Sequence, residues 1–229
     1  VSVAVRRPLL LLAAVVALAG AFLLVRQVRR PPPWWAPPPS VGEVGEFAAA
    51  VEHALAASFT RVREPGERWS LRVEEAELNA WLAERLPLWA ESGFLGEGLE
   101  WPGSLGLVQV RLSPRRLEVA IELRDLGTIA CLSAVPVESA EGWILRWHSA
   151  GLGRLQAPLG AAALRSSLGR RFGGEGDRAW LGSLLGEGAE LPSRLTLADG
   201  REVRLVGGEI GEGELRLELV SGEGPPLPR

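Results

Sequence analysis

His148 and Ser149, with Asp125 upstream, supply the residue types of acyl-transfer chemistry: a base, a nucleophile and an orienting carboxylate. Their spacing argues against that use, because neighbours in a strand point to opposite faces. No G-x-S-x-G elbow, H-E-x-x-H pair or phosphate-cradling loop occurs, and Gly151-Leu152-Gly153 continues to Gln156, where a dinucleotide-binding turn needs a third glycine. His53 and His148 are the only histidines and Cys131 the only cysteine, so there is no local metal-ligand spacing and no internal disulfide. The adjacent carboxylates Glu74 and Glu75 read as first-turn acids favourable to a helix dipole. The expectation is a protein that is not an enzyme and takes no metal or cofactor.

Trp69, Trp81, Trp89, Trp101, Trp143, Trp147 and Trp180 fall in a chain without a single tyrosine. Indoles fill cores; with leucine and valine they also wall pockets for apolar ligands, which need few polar groups. In the second case Trp81, Trp89, Trp143 and Trp147 are the candidate lining of an elongated groove for an acyl chain.

These residues must be positioned by elements that the hydrophobic pattern specifies. Val44, Phe47, Val51, Leu55 and Phe59 recur at three and four residues, which predicts an amphipathic helix over Glu43–Phe59. Trp69, Leu71 and Val73 alternate as a strand, and the following EEAELNAWLAERL reads as a helix stopped near Pro87. Asn79, the only asparagine, is a poor helix-interior residue whose amide is expected to bond a neighbouring segment. Residues 88–106 read as a long irregular connection. Val108, Val110 and Leu112, then Leu117, Val119, Ile121 and Leu123, predict a hairpin with one apolar and one wet face. Residues 129–137 and 143–149 predict a second hairpin, apolar on both faces for part of its length, which demands a covering layer on each side. A helix from Pro158 to about Phe172, a weaker one over Asp177–Leu185, and strands at 195–197, 202–206 and 215–220 complete the chain, with Asp199-Gly200 as a tight-turn signal.

The compartment follows from Pro8–Val25, an apolar run without a charge. At about 1.5 Å per residue it reaches roughly 27 Å, close to the ~30 Å hydrocarbon core of a bilayer. Arg6 and Arg7 precede it, Arg26, Arg29 and Arg30 follow, and Trp34 and Trp35 come next, all suited to headgroups. A short basic N-terminus stays inside, so the expected topology is a single pass through the cytoplasmic membrane with the C-terminal domain outside the cytoplasm. Ala17-Leu18-Ala19 keeps open a cleaved signal peptide, which exports the domain equally. Residues 31–39, PPPWWAPPP, predict a stiff polyproline spacer. The chain thus divides into 1–30, a membrane anchor with basic flanks; 31–42, a Pro-rich linker; and 43–229, an extracytoplasmic domain. All 28 acidic residues follow position 40, with 20 of the 25 basic ones, so 20 minus 28 leaves this part at −8, unsuited to nucleic acid.

At Glu77-Leu78-Asn79, at the strands and at Gly153-Arg154-Leu155 with Pro158, the order of features resembles the YpmS-like family of membrane-anchored bacterial proteins and, more distantly, tubular lipid-binding (TULIP-like) domains. The family usually caps the ELN helix with serine or threonine; here Glu74 stands there. The resemblance covers about half of the exported part, carries no catalytic residues, and implies an α+β domain held outside the membrane, with lipid binding suggested. The expected fold is therefore α+β: an N-terminal transmembrane helix followed by one domain of curved antiparallel sheet packed on amphipathic helices. The expected partners are the bilayer through residues 8–25, a lipid or other apolar envelope molecule, or another envelope protein.

Overall fold

In a computed structural model the chain is described over residues 3–36, 41–92, 101–139, 142–157, 189–197 and 200–222. The expected helices at 158–172 and 177–185, and Trp180, lie outside these residues. An apolar helix α1 (Val3–Arg29) leads into an α+β domain. Its window Leu12–Arg29 has a mean hydropathy of 1.7, and none of it is buried against the protein, so it is long and apolar enough to cross a membrane.

Helix α2 (Val41–Thr60) buries Val44, Ala48 and Val51. Phe47, expected on the buried stripe, is exposed, and Ala48 takes the inward position. The cause is the close approach of α3 (Glu75–Glu84), which meets Val44 and Ala48 through Ala80 and Ala83; small side chains let two helices come together. Glu74 begins α3, and its N–H donates to the Glu77 carboxylate at 2.8 Å, so the glutamate three residues on completes the cap. Pro87 cannot donate to the carbonyl four residues back, and the chain breaks at Arg85 into a second short helix, α4 (Leu86–Glu91).

The strands form two antiparallel sheets, neither closed into a barrel. β1 (Arg68–Glu74), β8 (Arg194–Thr196), β9 (Glu202–Ile210) and β10 (Glu214–Ser221) make the first, in the order β1-β10-β9-β8. Its core of Leu71, Val73, Val203 and Leu219 is covered by Leu55 and Phe59 of α2 and by Leu78 of α3. Phe59 meets Trp69 edge-on at 5.5 Å, Arg63 stacks 3.8 Å from the centre of that indole, and Arg201 donates to the α2-terminal carbonyls of Phe59, Thr60 and Arg61.

β2 (Leu105–Ser113), β3 (Arg116–Leu123), β4 (Thr128–Ser139), β5 (Gly142–Leu152) and β6 (Leu155–Ala157) make the second sheet in that order, and β7 (Ala189–Pro192) also pairs with β5. Both predicted hairpins are present; β6 and β7 carry no such signal. The expected α+β arrangement of antiparallel sheet and helices is present, and its division into two sheets follows from the edge of β2. There Asn79 donates to Val110 O at 2.9 Å and accepts from Val110 N at 2.6 Å, while Glu75 accepts from Leu112 N at 2.7 Å. With its outer backbone groups satisfied by α3, β2 ends one sheet, and the other joins it at Gly213 N–Leu112 O and Arg115 N–Ile210 O, both 2.9 Å.

Candidate functional site

One face of the second sheet carries Val108, Ile121, Leu123, Ala130, Leu132 and Ala150, covered by Leu82 of α3 and Leu86 of α4. Of the four candidate tryptophans, Trp147 belongs to this layer, packing against the cluster. Trp81 and Trp89 sit on α3 and α4 and meet edge-on, ring centres 5.0 Å apart. Trp143 has its backbone on β5 opposite Glu138 and Leu191. Trp101, left aside as a candidate, joins the same cluster as Trp147, and Leu88 next to Trp89 is exposed. The indole N–H of Trp147 is buried without a hydrogen-bond partner among the described residues. A donor so placed costs stability until it finds an acceptor.

The opposite face was expected to be wet on β2 and β3 and covered on β4. The cover is the segment that follows the apolar helix, and it extends over Ala120 of β3. Trp34 and Trp35 pack on Ala120, Ile129 and Cys131, and Pro32 is buried. A turn closes from Trp35 N to Pro32 O at 3.0 Å, so residues 31–36 are folded onto the sheet and do not extend as a polyproline spacer. Gln109, Ala120, Cys131 and Gly151 stand in one register row across β2, β3, β4 and β5, a row of uncharged or small side chains that leaves room for two indoles. The Gln109 amide exchanges hydrogen bonds with both backbone groups of Ala36, accepting from its N–H at 3.2 Å.

The helix end itself is gripped. The last carbonyls of a helix lack partners within it; here Gln27 O accepts from Arg154 N at 3.1 Å and Val28 O from the Thr128 hydroxyl. Pro31 O accepts from Arg154 Nε at 3.1 Å. Gly153 sits beneath, at φ 58°. The signal for this joint was present in the sequence as Ala120, Cys131 and Gly151, small residues where a wet strand face would carry charge.

Cys131 lies under the indoles, its thiol directed at Gly153 O at 3.7 Å. Burial, with the Glu118 charge second, raises the thiol from 9.0 to about 12. A raised acid pKa favours the folded chain below about pH 9, and that contribution is lost as pH rises towards 12. We expect no reaction with a thiol reagent at pH 8 in the folded chain and one reactive thiol per chain on unfolding, with stability falling above pH 9. Rapid labelling of the folded chain would contradict the covered position.

A second feature lies at the other end of the sheet, where Arg115, Val135 and Pro136 face β9 and β10. Together with Gly207, Glu209, Arg216 and Glu218 they bound an open cleft of about 750 Å³ with charges of both signs. None of the four candidate tryptophans lines it. His148 is exposed at a register shift in β5, Ser149 pairs with Ser133, and Asp125 is exposed in the helical turn Arg124–Leu126. Among the described residues no group of three or more His, Cys, Asp or Glu is placed to hold a metal ion. The chain matches no protein-family model, no curated protein and no solved structure.

Proposed function

We propose that this chain is a single-pass protein of the cytoplasmic membrane, N-terminus inside, whose domain lies outside the cytoplasm and binds a lipid or other apolar envelope molecule without catalysing a reaction. The observation that carries the reading is the unburied apolar helix, whose end is fastened directly to the tryptophan-bearing sheet. An exposed Leu12, Val16, Phe22 and Leu24 on one continuous helix have no solvent but lipid. The grip at Thr128 and Arg154 then brings the Leu105–Leu123 end of the apolar layer to the bilayer end of the domain, within reach of an acyl chain. In this reading Trp81, Trp89, Trp143 and Trp147 line the site, and the resemblance to YpmS-like and TULIP-like domains points to the same class of ligand.

Protease added to spheroplasts is expected to digest residues 43–229, and alkaline carbonate to leave the chain in the membrane; protection from protease would refute the topology. Native mass spectrometry of the detergent-extracted full chain is expected to show a bound lipid. Trp147→Phe, which removes the unpaired donor and keeps the ring, should lower lipid occupancy while leaving the free chain as stable or slightly more so. A lipid-free spectrum of the unsubstituted chain would refute the ligand.

The mixed-charge cleft between the sheets favours a second reading, an envelope scaffold that binds a protein partner at the end of the domain away from the membrane. In-cell crosslinking from Glu209→Cys would capture that partner.

A further inference from the structure

The end of the second sheet that receives the helix has a composition of its own. Thr128 opens β4 opposite Leu123, the last residue of β3, and Gly153-Arg154 makes the turn between β5 and β6. Arg124 and Arg154 are exposed there, beside the helix-end arginines Arg26, Arg29 and Arg30, with Asp125 as the acid of the intervening turn. The rest of the domain is acidic, so this basic rim is set apart from the −8 that follows position 40.

Its depth follows from the hydrogen bonds. A spanning α1 has its last turn at the headgroups. The carbonyls of Gln27, Val28 and Pro31, which belong to that level, are bonded to Arg154 and Thr128 themselves. These sheet residues therefore lie one hydrogen bond from the headgroup layer. Arg154 donates through Nε to Pro31 O and is exposed, and Arg124 holds its backbone in the turn, through Ser104 O at 2.9 Å, leaving its side chain exposed. Guanidinium groups match phosphate oxygens in geometry as well as charge.

We propose that the surface formed by Arg124–Leu126 and the exposed Arg154 and Leu155 docks on the phosphates of phospholipid headgroups, so that the domain rests on the bilayer in one orientation. The proposal builds on the membrane-anchor reading above. It predicts that the β5–β6 turn touches the lipid surface, while Arg116, at the far end of β3 from Leu123, stands off by about 23 Å at ~3.3 Å per residue.

The test uses the full chain in nanodiscs of phosphatidylcholine and phosphatidylglycerol containing a gadolinium-chelating lipid. Spin labels are placed singly at Leu155→Cys, Arg116→Cys and Val16→Cys; the buried Cys131, its thiol raised to about 12, stays unlabelled. Relaxation enhancement several-fold greater at position 155 than at 116 is the expected result. Equal, weak enhancement at both, with the position 16 label shielded from water, would overturn the docking and leave the anchor standing. A water-exposed label at position 16 would overturn the anchor reading and the docking with it. Arg124→Glu is expected to reduce the enhancement at 155 several-fold and Arg124→Lys to retain most of it; an unchanged value for Arg124→Glu would overturn the phosphate contact.

Discussion

Gly153→Ala is expected to release the apolar helix from the sheet and expose Cys131, raising its rate of thiol labelling in nanodiscs more than tenfold. Gly153 has φ 58°, a conformation that costs an L-residue about 1–2 kcal/mol. A Cβ there would stand 2.6 Å from the carbonyl oxygens of both Gln27 and Arg30, and nearer still to that of Val28. No real carbon sits so close to backbone oxygen, so the helix end must move. That movement breaks the bonds from Arg154 N to Gln27 O and from Thr128 to Val28 O, and lifts Trp34 and Trp35 off the sheet. Each 1.4 kcal/mol lost from the closed joint opens it about tenfold more often. Gly127→Ala is the matched control: Gly127 has φ 55°, but nothing lies within 4 Å of its added Cβ. Both variants bear the conformational penalty, and only the first should speed labelling. Equal labelling in the two would mean that the helix is not gripped at Gly153.

Asn79→Leu is expected to destabilise the domain by about 3 kcal/mol, the largest loss we anticipate from any single polar side chain. Its amide satisfies both the N–H and the C=O of Val110, a residue only 6% exposed at the edge of β2. Removing it strands two buried backbone groups at roughly 1–3 kcal/mol each, which the apolar gain of leucine does not offset. For a domain of this size that lowers Tm by about 6–12 °C. Asn79→Asp keeps an acceptor for Val110 N and faces a carboxylate to Val110 O, so it should restore little. Guanidinium unfolding of the full chain in detergent, followed by tryptophan fluorescence, measures both. A loss under about 1 kcal/mol would mean that water replaces the amide, and that α3 does not seal the sheet edge.

Much of the fold is carried by local pattern. The period of two in Val108–Leu112 and Leu117–Leu123 predicts β2 and β3 in their observed register, because one face is apolar and a slip of one residue would expose it. Asn79 is legible as a residue that must bond elsewhere, since its amide has no use inside a helix. The apolarity of both faces of β4 likewise calls for two covering layers. What supplies the second layer is not legible: Pro31–Ala36 reads as an extended spacer, because proline content describes the local chain and not what Trp34 and Trp35 touch. Phe47 is misplaced for a similar reason, as periodicity does not reveal that Ala80 approaches closely enough to favour Ala48. Among the candidate tryptophans, residue type marks Trp81, Trp89 and Trp147 as large apolar groups, and nothing local shows that Trp81 and Trp89 meet edge-on.

By itself the sequence determined that an apolar helix precedes an acidic α+β domain, because hydropathy, period and charge are properties of single residues and their immediate spacing. Only the tertiary structure decided that the strands part into two sheets at β2 and that the helix end is bonded to Thr128 and Arg154. Both depend on which unsatisfied backbone groups meet which distant partners, a pairing across 127 positions in the case of Arg154 and Gln27 that no local pattern encodes.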